Sequence, residues 1–273
     1  MRLFRSTDGW WIERGGLFAR LNSFDLDEWL SSPDPVGAIR ILVSAHTPAG
    51  TEAPPALLPM GSQEVWAAGV TYLRSKSARM EESAAAASLY DRVYEAVRPE
   101  LFFKATACRC VGHGEALKLR DDTRWIVPEP ELTLVISSAG RIVGFTIGND
   151  MSCRDIEGEN ALYLPQAKIW DRCCSLGPAI LVNEGVDDLL LSAITMCIRR
   201  GDRVAFAGAT HLSRMKRTPD ELVSWLFRNQ SFPKGVFLLT GTGVVPEEGF
   251  TLVAGDEIEM TVPEIGTLIN RVE

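Results

Sequence analysis

Three acidic side chains, Glu129, Glu131 and Asp150, are spaced so that they could hold a divalent cation. Glu129-Pro130-Glu131 opens an apolar run, Leu132 to Ile136, and a second run, Ile142 to Ile147, leads into Asn149-Asp150. The residues between the runs, Ser137-Ser138-Ala139-Gly140-Arg141, read as a β-hairpin turn centred near Ala139-Gly140. Alternation along a strand turns Glu129 and Glu131 to one face. With that centre Glu129 lies opposite Asp150, and directly opposed residues have Cβ atoms about 4.5–5.5 Å apart. Like charges this close are costly unless something cationic sits among them. An oxygen-only set suits a hard ion, Mg²⁺ first with Mn²⁺ or Ca²⁺ possible, and leaves coordination positions for water or substrate. Read in isolation, the same residues also fit the solvated end of a hairpin that carries surface acids.

The surrounding elements must place this hairpin in a core. Val65 to Val70 reads as a buried strand that enters Thr71-Tyr72-Leu73-Arg74-Ser75. Ser77 to Val97, with Met80, Ala84, Ala87 and Tyr90 at helical spacing, reads as an exposed helix stopped by Arg98-Pro99. Ser152 to Gln166 reads as a polar, glycine-containing loop. A further helix is marked by Thr218 as N-cap, Pro219 at its first position and Glu221 three residues beyond the cap. Val236 to Val272 alternates apolar runs with glycine turns, as several strands would. Residues 1–58, broken by Gly9, Gly15-Gly16, Pro33 and Pro35 and closing on Ala53-Pro54-Pro55-Ala56, read as a small β-rich amino-terminal region with a linker, leaving 59–273 as the main domain.

Composition narrows the function classes. The chain has 273 residues, 46% hydrophobic and 23% charged, as expected of a soluble globular protein with a sizeable core. Its net charge of −8 argues against nucleic-acid binding, which needs a basic footprint, so an anionic substrate must be met by local cations or a metal. No stretch approaches the roughly 18 apolar residues of a membrane span, and Met1-Arg2-Leu3-Phe4-Arg5 runs into polar sequence without a signal-peptide core, so the protein is expected in the cytoplasm. Cys108, Cys110, Cys153, Cys173, Cys174 and Cys197 lack zinc-site spacing and fit buried free thiols.

Several ordered blocks make residues 64–273 resemble the fumarylacetoacetate hydrolase superfamily. They are Gly69-Val70-Thr71-Tyr72, then Arg98-Pro99-Glu100-Leu101-Phe102-Phe103-Lys104, then Glu129-x-Glu131-Leu132 with Asn149-Asp150-x-Ser152-x-Arg154-Asp155. Lys168 with Leu176-Gly177-Pro178 follows, and Thr240-Gly241-Thr242-Gly243 with Gly255-Asp256-Glu257-Ile258-Glu259 closes the series. The resemblance implies a mostly β, α+β fold, a mixed β-roll or sandwich with few helices, as a homodimer or higher homo-oligomer. It implies Mg²⁺ on Glu129, Glu131 and Asp150, an active-site lysine at Lys168 and a substrate-contacting threonine at Thr242. Residues 1–58 lie outside it.

One departure bears on the chemistry. Hydrolytic members carry a histidine soon after the entry-strand tyrosine to activate water, whereas Tyr72 is followed by Leu73-Arg74-Ser75-Lys76-Ser77 without one. The loop from Arg154 to Lys168, with Glu157 where the hydrolase prototype has glutamine and a Tyr163-Leu164-Pro165-Gln166-x-Lys168 signature, looks like the branch containing 2-keto-3-deoxy-D-arabinonate dehydratase. That branch implies Mg²⁺-dependent loss of water from a 2-keto-3-deoxy sugar acid, giving a 2,5-dioxo acid through a metal-stabilised enolate. Lys168 is then the expected base at C3, and Glu157 the expected acid at the C4 hydroxyl, with Glu159 and Glu115 as rivals. Arg74 and Ser75 would meet the substrate beside Thr242. His46, His113 and His211 are left out of the site. The alternatives are a hydrolase or decarboxylase of an acylpyruvate, a fumarylacetoacetate-like diketo acid or oxaloacetate, and a non-catalytic binder of keto acids.

Overall fold

The apolar runs around the acidic residues become the two middle strands of a large sheet. Pro130–Ile136 is buried along its whole length, and Ile142–Asp150 at all but its first residue. Continuous burial of this kind requires a core on both faces of the sheet. One layer holds Leu132, Leu134, Ile136 and Ile147 against Met196, Ile258, Met260 and Leu268, and the other holds Val135, Val143 and Ile180 with Leu26, Trp29, Leu30 and Ile39. Truncating a residue such as Leu134 to alanine costs roughly 2–5 kcal/mol in a site of this kind.

The computed structural model describes residues 1–46, 50–72, 92–185 and 187–273. Among them, a ten-stranded sheet runs from one edge as Leu17–Leu21, Gly9–Arg14, Arg2–Ser6, Cys174–Val182, Ile142–Asp150, Pro130–Ile136, Val236–Leu239, Glu64–Gly69 and Glu100–Thr106, with Cys110–Val111 paired off this path. A five-stranded sheet, in the order Arg203–His211, Ala193–Arg200, Glu257–Val262, Gly266–Val272 and Ala116–Leu117, supplies the opposing layer. Most pairings are antiparallel, but Val236–Leu239 and Glu64–Gly69 run parallel, so the fold is the expected mixed, mostly β, α+β type. Among the described residues no helix is long and apolar enough to cross a membrane.

Strand order explains why site residues scattered through the sequence converge. Asp150, Glu131, Gly241 and Gly69 lie at the ends of, or just beyond, four consecutive strands. Pro130–Ile136 runs antiparallel to Ile142–Asp150 and to Val236–Leu239, and Glu64–Gly69 runs parallel to Val236–Leu239, so all four residues fall at one end of the strands.

Several expectations need correction. The amino-terminal region has the expected strands and adds two helices to them, Leu26–Ser31 and Pro35–Ser44, each opened by an aspartate cap. Asp25 accepts the Glu28 N–H and Asp34 the Gly37 N–H. Its first strand extends the main sheet by pairing with Cys174–Val182. Ser152 to Gln166 is not irregular: it contains helical turns Arg154–Glu159, Ala161–Tyr163 and the start of Leu164–Lys168, because Asn160 caps the second and Pro165 fits the first turn of the third. Cys108 is exposed rather than buried. Most of the helix expected over 77–97 lies outside the described residues, of which 92–95 are helical. The Thr218 cap is present, accepting the Glu221 N–H at the start of Pro219–Leu226.

Candidate metal centre and active site

The hairpin register determines which acids meet. Gly148 pairs with Glu131 and Asn149 with Pro130, and the Asp150 N–H donates to the Glu129 carbonyl at 3.0 Å. Asp150 therefore stands opposite Glu129, although by a different route from the expected one: the turn pairs Ile136 with Ile142 and so centres on Ala139, and a one-residue register shift between Ile142 and Gly144 moves the pairing to this register; Gly140 adopts φ +72° in that turn. All three carboxylates are buried, and Glu129, Glu131 and Asp150 each offer an oxygen within 4.8 Å of the others'. The solvated-hairpin alternative is thereby excluded.

Cations and a backbone donor hold these acids from outside. Lys168, fully buried at the end of the helix Leu164–Lys168, places Nζ 2.7 Å from Glu129 Oε2, 2.9 Å from Asp150 Oδ2 and 3.5 Å from Glu157 Oε1. It is not a surface lysine paired with a loop acid. Lys104, also fully buried, reaches Asp150 Oδ1 at 2.6 Å. Arg154 Nη1 donates to Glu129 Oε1 at 2.9 Å, and the Gly241 N–H to Glu131 Oε2 at 2.6 Å. Gly241 has φ +90°, and a Cβ there would stand 2.0 Å from Thr71 Oγ1, so the close approach of this N–H depends on glycine.

The electrostatics are those of a cation site. Burial, then the neighbouring Asp150 and Glu129, push the Glu131 carboxyl well above its ordinary range, against the opposite pull of Lys168 and the Gly241 N–H. Burial is the largest influence on the Lys104 ammonium and works against it, but Asp150 together with Cys173 and Cys174 outweighs it and raises that group above the ordinary lysine value. A buried acid driven up by two adjacent carboxylates is relieved when a divalent cation joins them. The donor set is all oxygen, so the residues fit a hard ion such as Mg²⁺.

Glu157 is separated from its rivals. It is buried beside Lys168, whereas Glu159 is exposed, and exposed Glu115 caps its own turn by accepting the Gly112 N–H at 2.5 Å. Glu157 also lines a cavity of about 310 Å³ with Arg98, Pro99, Glu100, Ala161 and Leu164. That size lies at the lower end of small-molecule sites. Thr242 is buried and shares a smaller cavity with Glu129, Glu131, Asp150 and Lys168, its hydroxyl bonded to the Val244 backbone at 3.1 Å. Arg74 and Ser75 lie outside the described residues. The three histidines stay away from the centre, each bonded to backbone: His46 to Leu42, His113 to Ile269 and His211 to Leu191.

A profile described as fumarylacetoacetate (FAA) hydrolase C-terminal matches residues 64–273, the span that carries every element of this centre. The chain belongs to the fumarylacetoacetate hydrolase family. Within this family it is 50% identical over 217 residues to a probable 2-keto-3-deoxyxylonate dehydratase of Haloferax volcanii, covering 80% of this chain and 74% of that protein. It is 44% identical over 218 residues to a 2-dehydro-3-deoxy-D-arabinonate dehydratase of Saccharolobus solfataricus, covering 79% and 73%. A solved 2-keto-3-deoxy-D-arabinonate dehydratase, complexed with magnesium and 2,5-dioxopentanoate, superposes with a TM-score of 0.82 at 35% identity, over 100% of this chain and 99% of that one.

Lys104 and Arg154 were present in the sequence blocks but had no assigned role. A lysine inside the apolar strand Glu-Leu-Phe-Phe-Lys-Ala-Thr was the available signal, since a charge placed in a buried strand must find a partner.

Proposed function

We propose that this protein is a Mg²⁺-dependent hydro-lyase that removes water from a 2-keto-3-deoxy sugar acid, such as a 2-keto-3-deoxypentonate, giving a 2,5-dioxo acid. The observation that carries the reading is the placement of Lys168 Nζ, which touches two carboxylates of the cation site and lies 3.5 Å from a third acid, Glu157. An amine and a carboxylic acid thus lie side by side at a hard-cation site. The dehydratase relatives at 44–50% identity support the substrate class.

Bound by Glu129, Glu131 and Asp150, Mg²⁺ supplies Lewis-acid polarisation of the 2-keto group, which makes the C3 hydrogens acidic. Lys168, as the free amine, takes the proton from C3. Glu157 in its acid form donates a proton to the C4 hydroxyl, the C4–O bond breaks, and water leaves as C3 and C4 become doubly bonded. Tautomerisation of that product then yields the 2,5-dioxo acid. Thr242, with Arg74 and Ser75, contacts the substrate. Residues 59–273 form the catalytic domain and 1–58 a smaller amino-terminal region. The protein works as a homodimer or larger homo-oligomer in the cytoplasm, a reading supported by the family resemblance and by the composition of the chain.

Incubating Mg²⁺-loaded protein with 2-keto-3-deoxy aldonates, acylpyruvates and oxaloacetate, and following products by mass, tests the reaction class. Loss of one water from a 2-keto-3-deoxypentonate is expected. Release of pyruvate from an acylpyruvate, or of carbon dioxide from oxaloacetate, with every sugar acid left intact, would transfer the site to a hydrolase or decarboxylase.

A further inference from the structure

Apart from the contacts of Lys168, each carboxylate of the cation site has one oxygen set against a donor or cation of the protein. Lys104 Nζ holds Asp150 Oδ1 at 2.6 Å, Arg154 Nη1 holds Glu129 Oε1 at 2.9 Å, and the Gly241 N–H holds Glu131 Oε2 at 2.6 Å. The oxygens left over on Glu129 and Asp150 are the two that Lys168 approaches. We infer that Lys104, Arg154 and the Gly241 N–H make this centre selective for Mg²⁺ over Ca²⁺, by restricting each of Glu129, Glu131 and Asp150 to one coordinating oxygen. This inference rests on the proposed reading of the three acids as the cation site.

The coordination chemistry of the two ions differs in the required sense. Ca²⁺ takes six to eight oxygens at about 2.3–2.6 Å and readily accepts both oxygens of one carboxylate, whereas Mg²⁺ is octahedral at about 2.0–2.1 Å and usually keeps several waters. Three carboxylates acting through one oxygen each fill half of an octahedron and leave the remainder for water or substrate. Coordination of Ca²⁺ by both oxygens of Asp150 would press a dication against the Lys104 ammonium, and the same arrangement on Glu129 would press it against Arg154.

The donors are fixed in place. Lys104 donates to the Met151 carbonyl at 2.8 Å and to the Lys168 carbonyl, which anchors its ammonium in ion-pair contact with Asp150 Oδ1 at 2.6 Å. Its position in the strand is also specific: Val65 pairs with Ala105 and Trp66 with Phe103, so Lys104 is the extra residue of a β-bulge. Such a bulge re-aims a side chain, here into the buried centre. Arg154 opens the helix Arg154–Glu159, with its N–H bonded to the Trp125 carbonyl at 2.8 Å. Rotating Glu129 to present both oxygens would break its buried, charged hydrogen bond from Arg154, and rotating Asp150 would break its buried ion pair with Lys104.

The test is calorimetric titration of chelator-stripped protein with MgCl₂ and, separately, CaCl₂, in the absence of substrate. Wild type is expected to bind Mg²⁺ more tightly than Ca²⁺. Lys104→Met keeps side-chain length, removes the cation beside Asp150, and should move the Mg²⁺:Ca²⁺ affinity ratio toward Ca²⁺ by about 10-fold or more, the usual scale for losing a partner behind a metal ligand. Arg154→Met should move it the same way through Glu129, and stands in if Lys104→Met does not fold. Wild type that binds Ca²⁺ as tightly as Mg²⁺, or folded variants that keep the wild-type ratio, would overturn the inference and leave the proposed function standing. Binding of neither ion would overturn both.

Discussion

Replacing Lys168 with methionine separates the two tasks assigned to that side chain, holding charge and moving a proton. In metal-free protein its ammonium is shared by Glu129, Asp150 and Glu157 at 2.7, 2.9 and 3.5 Å, all in the interior. Removing one partner of a buried ion pair costs roughly 3–5 kcal/mol, so Lys168→Met should melt well below wild type in chelator. Mg²⁺ should restore most of that loss, because a dication on the same oxygens replaces the missing charge. Magnesium affinity should be undiminished, since the substitution removes a competitor from Glu129 Oε2 and Asp150 Oδ2 rather than a ligand. Catalysis should not recover: losing the base removes about 10²–10⁴-fold, equivalent to about 3–5 kcal/mol of barrier. The assay is proton NMR of a 2-keto-3-deoxypentonate in D₂O with Mg²⁺-loaded variant, reading C3 hydrogen–deuterium exchange and dehydration together. A folded, Mg²⁺-loaded Lys168→Met that exchanges C3 hydrogen at the wild-type rate would refute the assignment of the base.

Two further outcomes follow from the same geometry. Glu157→Gln should retain C3 exchange while dehydration falls by about 10²-fold or more, because the proton donor acts only at the leaving hydroxyl; normal dehydration by this variant would move the acid to another residue. In chelator, the contribution of Glu131 to stability should be fully present below its unfolded value near 4.5 and be lost as pH rises through its raised native value, so the gain in melting temperature on adding Mg²⁺ should grow with pH. Thermal melts with and without Mg²⁺ from about pH 4.5 to 8 measure this, and a gain that shrinks with rising pH would contradict the charge assignment.

The centre of the site could be read in the sequence because strand geometry is rigid. A side-chain period of two residues and a turn near Ala139-Gly140 bring the acids to the same end of the hairpin, while the exact facing of Glu129 and Asp150 also depends on a one-residue shift between Ile142 and Gly144. Choosing Glu157 over Glu159 required the local helix, in which two residues are separated by over half a turn, so that one faces Lys168 and the other solvent. The aspartate caps of the amino-terminal helices were legible in Asp25 and in Asp34-Pro35, but the surrounding glycines and prolines favoured a strand reading. Lys104 was the least accessible: its role depends on a one-residue bulge against Glu64–Gly69, and no pattern within Glu100–Thr106 specifies where a partner strand will skip.

The central claim is that one divalent cation on Glu129, Glu131 and Asp150 is required for water to leave a 2-keto-3-deoxy sugar acid. Titrating chelator-stripped protein with Mg²⁺ while following dehydration of a 2-keto-3-deoxypentonate by mass tests it most directly. The expected result is no turnover without metal and activity that saturates at one ion per chain. Full dehydration by the metal-free protein would contradict it.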